Sequence, residues 1–166
     1  MQRLLNAFRN MVPVRMSLDT QGWWRSVPAQ GGWYFIETNT PLEVLSGLPA
    51  PQAGENHYNI PERIQTNSWV LGNGIGIGSG DGAARYVVYS GEQSNLMARA
   101  REHTHGHAQT ECLRLSGYPQ IHEYEGYFGY VTCESMFPGC ADDKTLRVAG
   151  EQAWRASFGW PVLCKE

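Results

Sequence analysis

The chain has 166 residues, enough for one domain with a real core and no need of disulfides or zinc to fold. A hydrophobic content of 42% with 17% charged residues excludes a disordered chain. A net charge of −3 excludes a protein that is basic throughout, so a polyanion would have to meet a local positive patch.

Residues 1–30 read as an N-terminal helical segment followed by irregular chain. Leu4, Leu5, Phe8, Met11 and Val12 have helical spacing, and Pro13 ends the run. Arg3, Arg9 and Arg15 precede the first acid, Asp19, a composition that also fits an organellar transit peptide. A helix packed on the domain, with its arginines in water, explains it more simply. Residues 13–31 read as irregular, with Trp23 and Trp24 as packing anchors. Gly32–Thr38 (GWYFIET) reads as a strand.

Pro41–Leu48 reads as a short helix, with Asn39 or Thr40 near its cap. Residues 49–66 carry three prolines and read as a loop, and Ser68–Leu71 as a short strand. Gly72–Gly82 (GNGIGIGSGDG) lacks the Lys-Ser/Thr ending of a phosphate-cradling loop, so it reads as a bulged hairpin connection. Ala84–Ser90 (ARYVVYS) is a second strand. Ser94 or Asn95 caps a helix from Leu96 to Thr104, with Leu96 and Ala100 on its inner face. Gly126–Cys133 reads as a third strand. Asp142 and Asp143 open a helix over Lys144–Phe158, which Gly159 and Pro161 stop. There is no transmembrane run. Cys112, Cys133, Cys140 and Cys164 make no CxxC pair and read as reduced thiols of a cytoplasmic protein.

One spacing carries chemistry. Tyr89-Ser90-Gly91 ends a strand, and Arg99 and His103 follow at i and i+4 on one helix face. A tight turn or a close backbone approach at Gly91 would bring the three side chains together. Arg clamps phosphate oxygens and offsets charge on a pentavalent phosphorus. His moves protons near neutrality, and Tyr becomes a base when a cation lowers its pKa. Taken singly, each is better explained as a packed tyrosine, a solvated arginine and a surface histidine. The joint spacing reverses that judgement.

With Gly32-Trp33-Tyr34 upstream, the chain resembles the GIY-YIG nuclease superfamily. Gly32-Trp33-Tyr34 stands for the first motif, with Trp for Ile, and Tyr89-Ser90-Gly91 for the second, with Ser for Ile. Arg99 and His103 fall at the family's offsets, and Glu151 best matches its metal-binding Glu. The resemblance spans residues 30–38 and 84–161. It implies an α+β fold, a small three-stranded antiparallel sheet flanked by helices, with an insertion at 39–83 after the first strand. The whole chain, 1–166, would then be a single nuclease domain.

The implied reaction is hydrolysis of a DNA phosphodiester with one Mg²⁺ or Mn²⁺ held by Glu151. Tyr34 would be the base, and His103 would accept its proton or hold it as phenolate. Tyr89 would position water or a phosphate oxygen, and Arg99 would stabilise the transition state. Arg101, His105, His107, Arg147 and Arg155 are DNA-binding candidates. Arg147, Glu151 and Arg155 also fit an ordinary i−4, i, i+4 charge ladder.

The chain departs from the family in several places. Tyr34 and Tyr89 are 55 positions apart, against about ten to fifteen in most members. Leu163 occupies the place of a late Asn. Glu92 follows Gly91 where repair members carry Lys, which points toward a restriction or phage-defence enzyme. The HTHGH string (His103, His105, His107) resembles a zinc motif but lacks downstream ligands. No zinc finger, helix-turn-helix or basic tail is evident, so DNA recognition falls to the insertion, the first helix or a homodimer that matches two-fold DNA sites. The alternative is a catalytically inactive domain of this type that binds nucleic acid or protein.

Overall fold

The side chains of Gly32–Thr38 alternate between two cores, and that alternation organises the molecule. Trp33 and Phe35 enter one buried cluster with Leu4, Phe8, Val87, Val131 and Trp154. Tyr34 and Ile36 enter the other, with Val88, Tyr89, Leu96, Ala100, Leu113 and Phe128. A strand buried on both faces lies inside a sheet with a layer on each side. The computed structural model describes residues 2–19, 22–52, 54–72, 85–140 and 143–165.

The elements in order are α1 (Gln2–Asn10), β1 (Val14–Met16), β2 (Gly32–Thr38), α2 (Leu42–Ser46), α3 (Ile60–Thr66), α4 (Ser68–Gly72), β3 (Tyr86–Gln93), α5 (Leu96–His105), β4 (Gly126–Thr132), α6 (Cys133–Met136) and α7 (Lys144–Phe158). The fold is α+β. Its antiparallel sheet has four strands in the order β1-β4-β2-β3, where the sequence led us to expect three. The added strand pairs Val14 with Phe128 and Met16 with Gly126. Three residues are too few for an alternation signal, and only the partner strand defines them.

Two further expectations are corrected. The stretch 49–66 contains helix α3, capped by the Asn59 side chain accepting from the Glu62 N–H. Pro61 stands in its first turn, where a missing N–H costs nothing, so this proline starts a helix. Residues 68–71 are helical and not a strand. Most of the glycine-rich segment, residues 73–82, lies outside the described residues. The described part of the 39–83 insertion is integral to the core, burying Leu45, Leu48, Tyr58, Ile60 and Ile64 in the cluster that holds Tyr34. Among the described residues no helix is long and apolar enough to cross a membrane.

α1 buries Leu4, Leu5 and Phe8, and the Phe8 ring meets those of Phe35 and Trp154. α7 starts at Asp143, whose side chain accepts from the Leu146 N–H, and stops at Gly159 with φ 106°. Trp33 docks this helix. Its indole N–H donates to the Arg147 carbonyl at 2.6 Å, and a β-carbon at Gly150 would lie 2.3 Å from the same nitrogen. Only glycine lets α7 approach so closely.

Candidate active site

β3 runs through Gly91 to Gln93, so of the two readings of Gly91, a turn or a close approach, the turn is absent. Gly91 pairs with Tyr34 inside the sheet. Its missing side chain leaves the space in which the Tyr34 hydroxyl sits, because a β-carbon there would be 2.6 Å from that oxygen. The glycine serves room rather than a bend. Two pairs further on the register shifts: Ile36 faces Tyr89 and Glu37 faces Val87, leaving Val88 as the extra residue of a bulge. Val88 and Tyr89 consequently both enter the cluster of Tyr34, while Val87 enters the other.

α5 supplies the remaining partners. Asn95 caps it through the Ala98 N–H, and Leu96 and Ala100 anchor its inner face. That face also presents Arg99 and His103. The Arg99 Nε–H donates to the Tyr34 hydroxyl at 3.1 Å, and His103 Nε2 lies 2.9 Å from the same oxygen. The Leu113 backbone N–H donates to His103 Nδ1 at 3.3 Å. A neutral imidazole accepting at Nδ1 carries its proton on Nε2. His103 thus donates to Tyr34, and the phenol oxygen receives two donors.

The electrostatics follow from burial. Burial holds the Tyr34 hydroxyl well above the ordinary tyrosine range, and the Arg99 charge and hydrogen bond offset only part of this. Burial, aided by the Arg99 charge, keeps the His103 imidazole far below its usual value, so it is neutral. The Tyr89 hydroxyl is also pushed up by burial, then by Tyr34 and Tyr58. Arg99 is further fixed by Glu102 at 2.9 Å and by the Glu111 carbonyl at 3.1 Å.

Tyr89 stacks near Tyr34, with ring centroids 6.1 Å apart, and lies 4.8 Å from the His103 ring. Its hydroxyl meets that of Tyr58 at 3.1 Å. Tyr34, Tyr89, Arg99 and His103 are thereby brought together, and all are buried, exposing 2%, 7%, 7% and 0%. The segment after α7 covers them along the β3 edge. The Leu163 N–H donates to the Val88 carbonyl, and the Ser90 N–H donates to Cys164 Sγ at 3.2 Å. Asn67 holds this segment, its side-chain amide donating to the Val162 and Cys164 carbonyls, each at 2.8 Å.

Glu151 stands apart from this cluster on α7 and does not touch the tyrosines, although its charge reaches Tyr34. Arg155 Nη2 donates to Glu151 Oε1 at 2.6 Å. Half of the expected charge ladder is therefore formed. The other half is not, because Arg147 pairs with Glu92 at 2.7 Å. Burial raises the Glu151 carboxyl, Arg155 counters this, and the neighbouring Glu92 adds to it. A partly buried carboxylate beside a second one, with no hydrogen bond to its other oxygen among the described residues, fits a hard cation that keeps most of its water. No group of three or more His, Cys, Asp or Glu among the described residues could hold a metal.

The DNA-binding candidates are dispersed. Arg101 is exposed on α5. His105 packs edge-on against Trp24 and meets the Ser116 hydroxyl, and His107 Nδ1 accepts from the Gln109 and Thr110 N–H groups. Arg147 and Arg155 are turned inward to Glu92 and to Glu151 with Ser90. The sequence reading missed Tyr58, Asn67, Glu102 and Cys164. Glu102 had a signal, three residues from Arg99 on a helix. The other three reach the cluster only through tertiary contact.

The chain matches no family model, no curated protein and no solved structure.

Proposed function

We propose that the protein is a metal-dependent DNA endonuclease of the GIY-YIG kind, restriction or phage-defence in type. The observation that carries this reading is the Tyr34 hydroxyl receiving both the Arg99 Nε–H and His103 Nε2. Residues 65 and 69 positions away in the chain converge on one phenol oxygen, as a base for water activation requires. Burial keeps the Tyr34 hydroxyl protonated in this conformation. Once water and a metal reached it, its two donors would favour a phenolate, and a neutral His103 would hold that charge rather than take the proton. Arg99, once turned from Glu102, would face a phosphate. Tyr89 would orient water or a phosphate oxygen. Glu151 would hold Mg²⁺ or Mn²⁺, which supplies charge to polarise the phosphate and stabilise the leaving 3′-oxygen.

A second reading is favoured by burial. All four clustered side chains are buried, with Tyr58 against Tyr89 and Leu163 bonded to β3 at Val88, so in this conformation no phosphate reaches them. Buried polar residues that satisfy one another also stabilise a domain that only binds nucleic acid or protein. Incubation with supercoiled plasmid and Mg²⁺, Mn²⁺ or EDTA separates the two. The enzyme nicks in a metal-dependent way that Glu151→Gln abolishes. Absence of nicking on plasmid and on linear DNA of diverse sequence leaves the binding domain as the better account.

A further inference from the structure

Arg155 is held by interior partners through Nε and Nη2. Its Nε–H donates to the Ser90 hydroxyl at 3.2 Å, and Nη2 donates both to the Ser90 carbonyl at 3.2 Å and to Glu151 Oε1 at 2.6 Å. Its guanidinium carbon lies 4.6 Å from the Trp160 ring centroid. The ion-paired side chains of Arg155 and Glu151 are only 10% and 15% exposed. A cation of the protein's own therefore already sits on the carboxylate that the nuclease reading assigns to a metal.

We propose that Arg155 is a built-in counter-cation of Glu151, and that a divalent cation binds Glu151 in competition with it. The inference rests on the metal-dependent reading of Glu151. Coulomb repulsion gives the reason. A divalent ion on either oxygen would stand beside the Arg155 guanidinium, in a setting where water screens poorly. For the metal to bind, the guanidinium must move away from Glu151, and that displacement weakens binding, so Arg155 sets the metal affinity of the site. An anionic phosphodiester that drew Arg155 toward itself would relieve the competition, coupling substrate to metal.

Trp160 provides a readout independent of cleavage. A guanidinium leaving its ring changes the indole environment. Mg²⁺ binding is measured by calorimetry at about pH 8, where carboxylates are ionised, and in parallel by tryptophan fluorescence. The wild type is compared with Arg155→Gln, Arg155→Lys, Glu151→Gln and Trp160→Phe. Arg155→Gln is expected to bind Mg²⁺ about tenfold or more tightly than wild type, with Arg155→Lys in between. The wild type is expected to show a saturable fluorescence change that is absent from Trp160→Phe and Glu151→Gln.

Folded Arg155→Gln with unchanged or weaker affinity overturns the competition. If binding is nonetheless lost in Glu151→Gln, the metal assignment survives. If Arg155→Gln does not fold, Arg155→Lys and the wild-type fluorescence decide, and calorimetric Mg²⁺ binding with no fluorescence change overturns the proposal. No Mg²⁺ binding by wild type or by the Arg155 variants overturns both the proposal and the metal reading.

Discussion

Gly91 and Tyr34 face each other across β2 and β3, and the Tyr34 hydroxyl occupies the space that a Gly91 side chain would need. The phenol is thereby aimed between Arg99 and His103. Gly91→Ala is expected to push the ring aside and to cost about 1–3 kcal/mol through overpacking. Urea unfolding measures the cost. A variant as stable as wild type, with an unaltered tyrosine ultraviolet spectrum, would show that the sheet gives way instead.

Tyr34→Phe keeps the ring and removes the acceptor of two buried donors. Leaving the Arg99 Nε–H and the His103 Nε2–H without it costs about 1–3 kcal/mol. If Tyr34 is the base, single-turnover cleavage also falls by about a hundredfold or more. Near-normal cleavage by this variant would remove Tyr34 from that role.

His103 sets a pH dependence. Folded, it stays neutral to well below its usual range. Unfolded, it gains a proton as pH falls through about 6.5. The unfolded state therefore binds more protons below that pH, and stability declines there by up to about 1.4 kcal/mol per pH unit. The loss is absent above about pH 7. Denaturant unfolding of wild type and His103→Gln across this range should give a shallower slope for the variant. Equal slopes would mean that His103 titrates normally in the fold.

Asn67 latches the segment over the cluster with two hydrogen bonds. Asn67→Ala leaves two buried carbonyls without that donor and should cost about 1–3 kcal/mol. Cys164 is fully buried beneath the latch. Its modification by a thiol reagent, followed by peptide mass, should therefore speed up in Asn67→Ala. An unchanged rate would mean that the segment is held by its apolar packing alone.

The candidate site was unevenly legible before folding. Arg99 and His103 were found because they repeat on one helix face, and Tyr34 and Tyr89 because each sits in a short tyrosine-glycine motif within an aromatic, β-branched strand. Gly91 read equally as a turn or as a place of close approach, and only the tertiary structure chose the second, a cross-strand space for the Tyr34 hydroxyl. Arg155 read both as a DNA contact and as the i+4 partner of Glu151; it pairs with Glu151 and also reaches inward to Ser90, which its spacing did not indicate. An arginine's direction depends on what lies beneath its helix, and i+4 spacing carries no such information.

Local pattern by itself determined the strand Gly32–Thr38, a strand over Gly126–Cys133 that the structure ends at Thr132, the helices from Leu96 and Lys144, and their caps to within a residue, at Ser94 or Asn95 and at Asp142 or Asp143. Capping and periodicity act within a few residues, so they can be read without the fold. Only tertiary structure decided that Val14–Met16 forms a fourth strand, that Pro61 starts a helix and that the insertion closes over the tyrosines. The same holds for Tyr58 meeting Tyr89 and for Asn67 gripping Val162 and Cys164. Those contacts join residues 31 to 97 positions apart, and their partners are chosen by burial and hydrogen-bond satisfaction once the two cores form.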